Sequence, residues 1–217
     1  MNKLLVSDII DINSGIYIIE FNNKKAKINI GGNTTIYIIN EEVEELEINL
    51  KDGSSLNLYK YDKFLKSNLN IKINEYNNTL LNFNNNFINN NNVVVKIDNY
   101  IKGNNNESNI NIRNISLNNL SKIIINVDIL DNTINNIALE DLKGINNGGI
   151  IQIEPNILCG SNEVTANHLT TIGELDKNSI DYLMSKGIDE VTARNILLNG
   201  FICNKMDDYM KKIIGGE

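Results

Sequence analysis

Short segments in which apolar and polar residues alternate follow one another along most of the chain, from Gly15 to about Ile153. Alternation with a period of two places the apolar side chains on one face of an extended backbone, so each segment is predicted to be a β-strand. The segments are IYIIEF, AKINI, TIYIIN, LEINL, SLNLYKY, NLNIKIN, VVVKID, NINIRN, KIIINVDI and GIIQIE. The nearest candidate for a helix among them is NEEVEELEINL.

The segments between the predicted strands are rich in asparagine and glycine, as in NSG, GGN, KDGSS and GNNNESN. These residues tolerate the left-handed backbone of tight turns. The strands alone fit either a β-sandwich or a β-solenoid, and the sequence has no strict period. Stacked coils of a solenoid bring asparagines above one another, where their amides form hydrogen-bonded ladders. The asparagine-rich turns therefore favour the solenoid.

Helical periodicity first appears after Pro155. Asp176 is predicted to be the N-cap of a helix over KNSIDYLMSK, with Gly187 just past its end. Asp189 is predicted to cap a second helix over EVTARNILLN, which Gly200 is expected to end.

A third helix is predicted from about residue 201 to residue 214. Helices this short are unstable alone, so their apolar faces must pack on one another, on the strands or on a partner. The sequence thus predicts two units, a solenoid core over 1–160 and a C-terminal unit over 161–217.

The chain is acidic, with a net charge of −7 and a pI near 4.9. Nucleic acids and anionic membranes bind cationic surfaces, so neither is expected to be a partner. Two cysteines, Cys159 and Cys203, suit free thiols in a reducing compartment, which predicts a cytoplasmic location. No apolar run is long enough for a membrane span, and acidic residues interrupt the start, so no signal peptide is expected.

One stretch, NEVTANHLTTIGELDKNSIDYLMSKGIDEVTARNILLNGF at 162–201, resembles the C-terminal signature of the SufB/SufD family of iron–sulfur cluster assembly proteins. The resemblance rests on residue types at fixed spacings in this one stretch. The matching residues are Glu163, Val164, Asn167, His168, Thr171, Gly173, Asp176, Tyr182, Leu183, Gly187, Ile188, Ala193, Gly200 and Phe201.

The resemblance implies a mainly β fold, with a right-handed parallel β-helix core and a small helical domain. It also implies a non-catalytic subunit that pairs through its β-helix with a SufB/SufD-type chain, as a homodimer or a heterodimer. The helices would dock a SufC-type ABC ATPase, which would hydrolyse the ATP, since this chain has no GxxxxGK phosphate loop. The docking residues would be Tyr182, Leu183, Gly187, Ile188, Gly200 and Phe201.

The family's histidine corresponds to His168, which becomes the candidate ligand for a transient iron–sulfur cluster shared across a dimer interface. Cys159 and Glu163 are further candidates, because thiolates and carboxylates also bind iron. Leu169 stands where SufB-type chains carry a glutamate, and LEDLKGINNGG stands where they carry the assembly cysteine, so the chain resembles a small SufD-like member. The N-terminal extension of many relatives is expected to be missing.

Two other functions fit parts of the sequence. A structural or ligand-binding β-solenoid, with the helices as an end cap, would explain the asparagine-rich strands alone. A sugar-active β-helix enzyme would need clustered carboxylates, and the only dense set, EEVEELE, is better explained as a solvated face. No catalytic residue is predicted.

Overall fold

The computed structural model describes residues 2–215, and Met1, Gly216 and Glu217, at the ends of the two predicted units, lie outside this range. Fifteen strands precede three helices within it. The strands are β1 (Asn2–Val6), β2 (Ile9–Ile12), β3 (Gly15–Phe21), β4 (Lys25–Ile30), β5 (Asn33–Ile39), β6 (Glu45–Leu50), β7 (Ser55–Asp62), β8 (Leu69–Glu75), β9 (Leu80–Asn89), β10 (Val93–Ile101), β11 (Glu107–Ser116), β12 (Leu120–Ile129), β13 (Asn136–Asn146), β14 (Ile150–Cys159) and β15 (Val164–Gly173). The helices are α1 (Lys177–Ser185), α2 (Glu190–Ile202) and α3 (Asp208–Gly215).

Successive strands alternate between two parallel sheets. The odd-numbered strands form an eight-stranded sheet in chain order, and the even-numbered strands form a seven-stranded sheet. Each coil of the chain therefore adds one strand to each sheet, which is the arrangement of a β-solenoid. The predicted mainly β, parallel β-helix core is confirmed. The predicted strand segments all lie on strands, and NEEVEELEINL contains strand β6 instead of a helix.

The core lies between the two sheets. In-register pairing stacks side chains of the same parity above one another. One such column runs through Ile36, Leu58, Phe83 and Ile110, all of which are buried. The burial of alternate apolar residues in every coil is the main favourable contribution to folding.

Asparagines build both the turns and the ladders between coils. Five of them adopt a left-handed backbone with positive φ, namely Asn40, Asn78, Asn105, Asn132 and Asn135. The Nδ2 of Asn105 donates to Oδ1 of Asn78, and the Nδ2 of Asn135 donates to Oδ1 of Asn105, at 3.1 and 3.2 Å. These contacts confirm the ladders that the asparagine-rich turns predicted.

The coils lengthen along most of the chain, and the last coil of the odd-numbered sheet, from Asn136 to Val164, is 28 residues long. Asn2 pairs with Tyr17, 15 residues later, whereas Glu107 pairs with Ile137, 30 residues later. The solenoid therefore widens from its N-terminal to its C-terminal end, and no single repeat length exists.

The helical segment folds back against the outer face of the odd-numbered sheet. An apolar cluster joins the two, made of Tyr37, Tyr61, Ile115, Ile145, Ile202, Met206, Met210 and Ile214. Helix α1 begins after the N-cap Asp176 as predicted, with Gly187 in a left-handed conformation after its end.

None of the helices in residues 2–215 is long and apolar enough to span a membrane.

Two helix boundaries differ from the prediction. Helix α2 passes through Gly200 and ends at Ile202, because the apolar side chains of its last turn pack on the sheet. The third helix starts only at Asp208, since a turn around Asn204 and Lys205, the latter with a φ of 65°, separates it from α2. The change from strands to helices also comes later than Pro155, because β14 includes Pro155 and β15 continues to Gly173.

Candidate functional site

The C-terminal end of the solenoid is open. Strand β14 pairs only with β12, and strand β15 pairs only with β13, among the strands of residues 2–215. Both therefore present an edge of backbone groups without a neighbouring strand. Apolar side chains are exposed beside these edges, with Leu158 on β14 at 66% and Leu169 on β15 at 54% exposure.

His168 lies in the middle of β15 and is exposed. It pairs in register with Glu140 of β13, so the two side chains share the face that points into the solenoid. Since no further coil covers β15 in the described chain, the imidazole stands at the mouth of the solenoid interior. Within residues 2–215 the imidazole has no hydrogen-bond or ion-pair partner.

Glu140 lies directly beneath His168 and is only 3% exposed. Neither of its carboxyl oxygens has a hydrogen-bond partner among the described residues. Burial without compensating contacts raises the pKa of Glu140 to about 7. The Oγ1 of Thr170, two residues after His168 on the same face, is also buried without a partner. The mouth of the solenoid thus contains the buried oxygen atoms of Glu140 beneath one imidazole and that of Thr170 on the same strand as the imidazole.

The other predicted ligands lie apart from this pair. Cys159 is the last residue of β14, in the opposite sheet, and its thiol is exposed. Glu163 is exposed in the turn before β15, where its backbone N–H donates to Oγ of Ser161 at 3.2 Å. No group of three or more His, Cys, Asp or Glu side chains in residues 2–215 is close enough to hold a metal ion.

One chain therefore provides two adjacent side chains suited to iron, an imidazole and a carboxylate. A complete iron site would need further ligands from sulfide, water or a second chain. The partnerless oxygens of Glu140 fit such a use, because buried polar atoms in proteins are normally satisfied by protein, water or an ion. The residues present thus fit a shared site better than a site on one chain.

Helices α1 and α2 project a partly apolar surface. Tyr182 and Val191 are 62% and 69% exposed, and Met184 and Ile196 are also exposed. Leu183 and Ile188 are half-buried, while Gly187 is exposed with a φ of 87°. We call the exposed residues Tyr182, Met184, Val191 and Ile196 the helical apolar surface.

The last turn of α2 faces the solenoid instead. Phe201 is half-buried against the apolar cluster between helices and sheet, whereas Gly200 is exposed. Cys203, the C-cap of α2, also packs against this cluster, and burial raises the pKa of its thiol.

Polar contacts fix the turn between α2 and α3 to the sheet. The Nδ2 of Asn86, which is fully buried, donates to the carbonyl oxygens of Ile202 and Asn204 at 2.7 and 2.9 Å. The Nε and Nη2 of Arg113 donate to Oδ1 of Asn204 at 3.1 and 2.9 Å. The same Nη2 donates to Oδ2 of Asp141 at 2.7 Å. We call these contacts the polar latch.

The latch ends next to the mouth of the solenoid. Asp141 follows Glu140 on β13, and its backbone oxygen also accepts a hydrogen bond from Nη1 of Arg113 at 2.8 Å. The attachment of the helices and the position of Glu140 thus depend on the same strand.

Neither Glu140 nor the latch was predicted from the sequence. The alternation around Glu140, with Ala138 and Leu142 on the buried face, could have placed its side chain inward. For Arg113 the sequence offers no such signal, because its partners lie about 30 and 90 residues away.

Comparison with known families agrees with this arrangement. Residues 145–201 match the family model described as SUF system FeS cluster assembly, SufBD core domain. No curated protein sequence matches the chain significantly. The matched region contains the end of β13, both strands of the open end, α1 and nearly all of α2. Residues 145–201 therefore carry the core-domain signature of the SUF iron–sulfur cluster assembly system, and over this region the chain is similar to the SufB/SufD family.

Proposed function

We propose that the chain is a non-catalytic subunit of a cytoplasmic SUF complex that assembles a transient iron–sulfur cluster. It pairs through the open end of its solenoid with a SufB/SufD-type chain and binds a SufC-type ABC ATPase through α1 and α2. The observation that carries this proposal is the family match over 145–201, which spans both of these surfaces.

The edges of β14 and β15 support the pairing. An exposed strand edge binds a strand of another chain through backbone hydrogen bonds, and the flanking side chains supply specificity. Leu158 and Leu169 lie on the outer faces of the two edge strands, so a second solenoid placed end to end would cover them. In this arrangement His168 and Glu140 of one chain face the partner.

The helical apolar surface supports the docking of the ATPase. Exposed aromatic and aliphatic side chains with charged neighbours are typical of protein interfaces. Tyr182 and Val191 have no role in the cluster that attaches the helices to the sheet. ATP-driven association of two docked ATPases would pull on the helices and, through the polar latch, on strand β13. The chain itself hydrolyses no ATP in this scheme.

A pull-down with the ABC ATPase from the same host tests the docking. We expect the full chain to recover the ATPase, and the double variant Tyr182→Ala, Val191→Asp to recover at least about tenfold less, because two interface anchors are lost. Ile16→Asp is the matched control, since Ile16 is equally apolar and 50% exposed at the opposite end of the molecule.

Recovery of no ATPase by the unaltered chain would contradict the proposal. The chain would then be better described as a structural or ligand-binding solenoid.

A further inference from the structure

Among the buried ionisable groups in residues 2–215, Glu140 is the one whose carboxyl oxygens both lack a hydrogen-bond partner. Its side chain is 3% exposed, and both carboxyl oxygens are without a partner in residues 2–215. Other buried ionisable groups of the chain have partners. Glu75 accepts hydrogen bonds from Nδ2 of Asn99 at 2.8 Å and Oγ1 of Thr79 at 3.1 Å, and Lys60 pairs with Asp62. A buried carboxyl without partners is costly, so its position requires an explanation.

The surroundings of Glu140 are asymmetric. On one side, Ile110 of β11 stacks against it in the apolar core. On the other side lies His168, which is exposed and without a partner, at the mouth of the solenoid. Thr170, two residues after His168, contributes a third buried and partnerless oxygen on the same face. Among the described residues, Glu140 is therefore closed on the side of Ile110 and can gain a ligand from the open end.

We propose that Glu140 is an iron ligand and that, with His168, it forms a ferrous-iron half-site at the mouth of the solenoid. A carboxylate and an imidazole are both good ligands for ferrous iron. Neighbouring strands lie about 4.8 Å apart, so side chains stacked in register can reach one ion placed between them. Because His168 is exposed, its ring can turn outward to admit the ion.

This inference rests on the proposed function, since a half-site leaves coordination positions for ligands that a partner chain or sulfide would supply. It extends that function by assigning the second ligand to Glu140, in place of Cys159 or Glu163. It also predicts that iron binds before sulfide is present.

The test uses the full chain, kept anaerobic, with ferrous iron alone as the probe. Equilibrium dialysis gives the affinity, and the visible spectrum of bound cobalt(II) reports whether the imidazole and the carboxylate coordinate. Glu140→Gln is the main variant, because it is isosteric and uncharged. Glu163→Gln is the matched control, because it removes an exposed carboxylate at the same end of the molecule.

We expect Glu140→Gln and His168→Ala each to weaken iron binding about 10- to 100-fold and to change the cobalt spectrum. Glu163→Gln should bind as the unaltered chain does. Thermal unfolding of Glu140→Gln should occur at the same temperature or higher, since an uncharged group replaces a buried carboxyl that lacks partners.

Unchanged affinity in Glu140→Gln, or no binding of ferrous iron by the unaltered chain, would overturn this inference. Recovery of the ATPase does not depend on Glu140, so the two proposals fail separately. Loss of iron binding with the ATPase still recovered contradicts the half-site alone. Normal iron binding without recovery of the ATPase contradicts the proposed complex alone.

Discussion

Two buried glutamic acids show how the same pKa can arise in different surroundings. Burial raises the pKa of both Glu75 and Glu140 to about 7. Glu75 is fully enclosed and its carboxyl accepts hydrogen bonds from Asn99 and Thr79, so it belongs to the internal structure of the solenoid. Glu140 has no such bonds and lies at an open end. The difference in partners, and not the pKa, separates a structural residue from a candidate ligand.

Glu75 should make the stability of the fold depend on pH. Its folded pKa lies above the ordinary value of 4.5, so the folded state binds the proton more tightly. The tighter proton binding adds about 3 kcal/mol to the free energy of unfolding. This contribution is fully present below about pH 4.5 and is lost as the pH rises through about 7. Chemical denaturation between pH 5 and 8 should show a smaller decline in the free energy of unfolding for Glu75→Gln than for the unaltered chain.

The exposed carboxylate Glu107 provides the control for this measurement. Glu107→Gln should retain the decline of the unaltered chain. An identical pH dependence in Glu75→Gln and the unaltered chain would show that the Glu75 carboxyl is not held neutral by burial.

Among the single residues of the site, His168 could be identified from the sequence, whereas Glu140, which pairs with it in register, could not. His168 was identifiable because it lies in a recognisable motif. Glu140 follows no motif, and its relation to His168 depends on a pairing 28 residues apart that only the register of β13 and β15 defines. Cys159 was a reasonable candidate by chemistry, yet its strand belongs to the opposite sheet.

Whether a strand could be predicted from the sequence depends on how clearly its apolar and polar residues alternate. Segments with clear alternation, such as β10 and β12, were recognised because their polar positions are interspersed with Val and Ile. Strand β9 has the sequence LLNFNNNFIN, and its run of asparagines resembles a polar tract. Leu81, Phe83 and Phe87 of β9 nevertheless fill the core, while its asparagines occupy both faces. Because the coils differ in length, no single repeat length could have identified β9 as a strand.

The helical elements depend on the polar latch for their attachment. In the variant Asn86→Asp an oxygen replaces the Nδ2 donor, so a buried carboxylate would face the carbonyl oxygens of Ile202 and Asn204. We expect a cost of at least about 2 kcal/mol for holding α2 and α3 on the sheet. Native-state hydrogen exchange should show about 10- to 100-fold faster exchange in these helices, with less change in the central strands.

Asn57→Asp is the isosteric control, because Asn57 lies on the same outer face and its Oδ1 already accepts a hydrogen bond from Asn82 at 3.0 Å. Its helices should exchange as in the unaltered chain. Equal protection of α2 and α3 in both variants would mean that the apolar cluster alone attaches them.

The whole molecule is a tapered solenoid with two different ends. The narrow end carries exposed apolar residues such as Ile9 and Ile16, and the wide end carries Leu158 and Leu169 beside two strand edges. Only the wide end combines apolar exposure with His168, Glu140 and the match to the SufBD core domain. The pairing of two chains should therefore use the wide end.

Leu169→Lys should reduce this pairing. Burial of one leucine side chain contributes about 1.5–3 kcal/mol, so its replacement by a charged residue should weaken association about 10- to 100-fold or more. Mass photometry of the full chain, alone and mixed with a SufB-type chain from the same host, measures the dimer fraction. Ile16→Lys places the same charge at the narrow end and should leave that fraction unchanged. If Ile16→Lys dissociates the dimer and Leu169→Lys does not, the chains associate through the narrow end, and the half-site of His168 and Glu140 faces solvent instead of a partner.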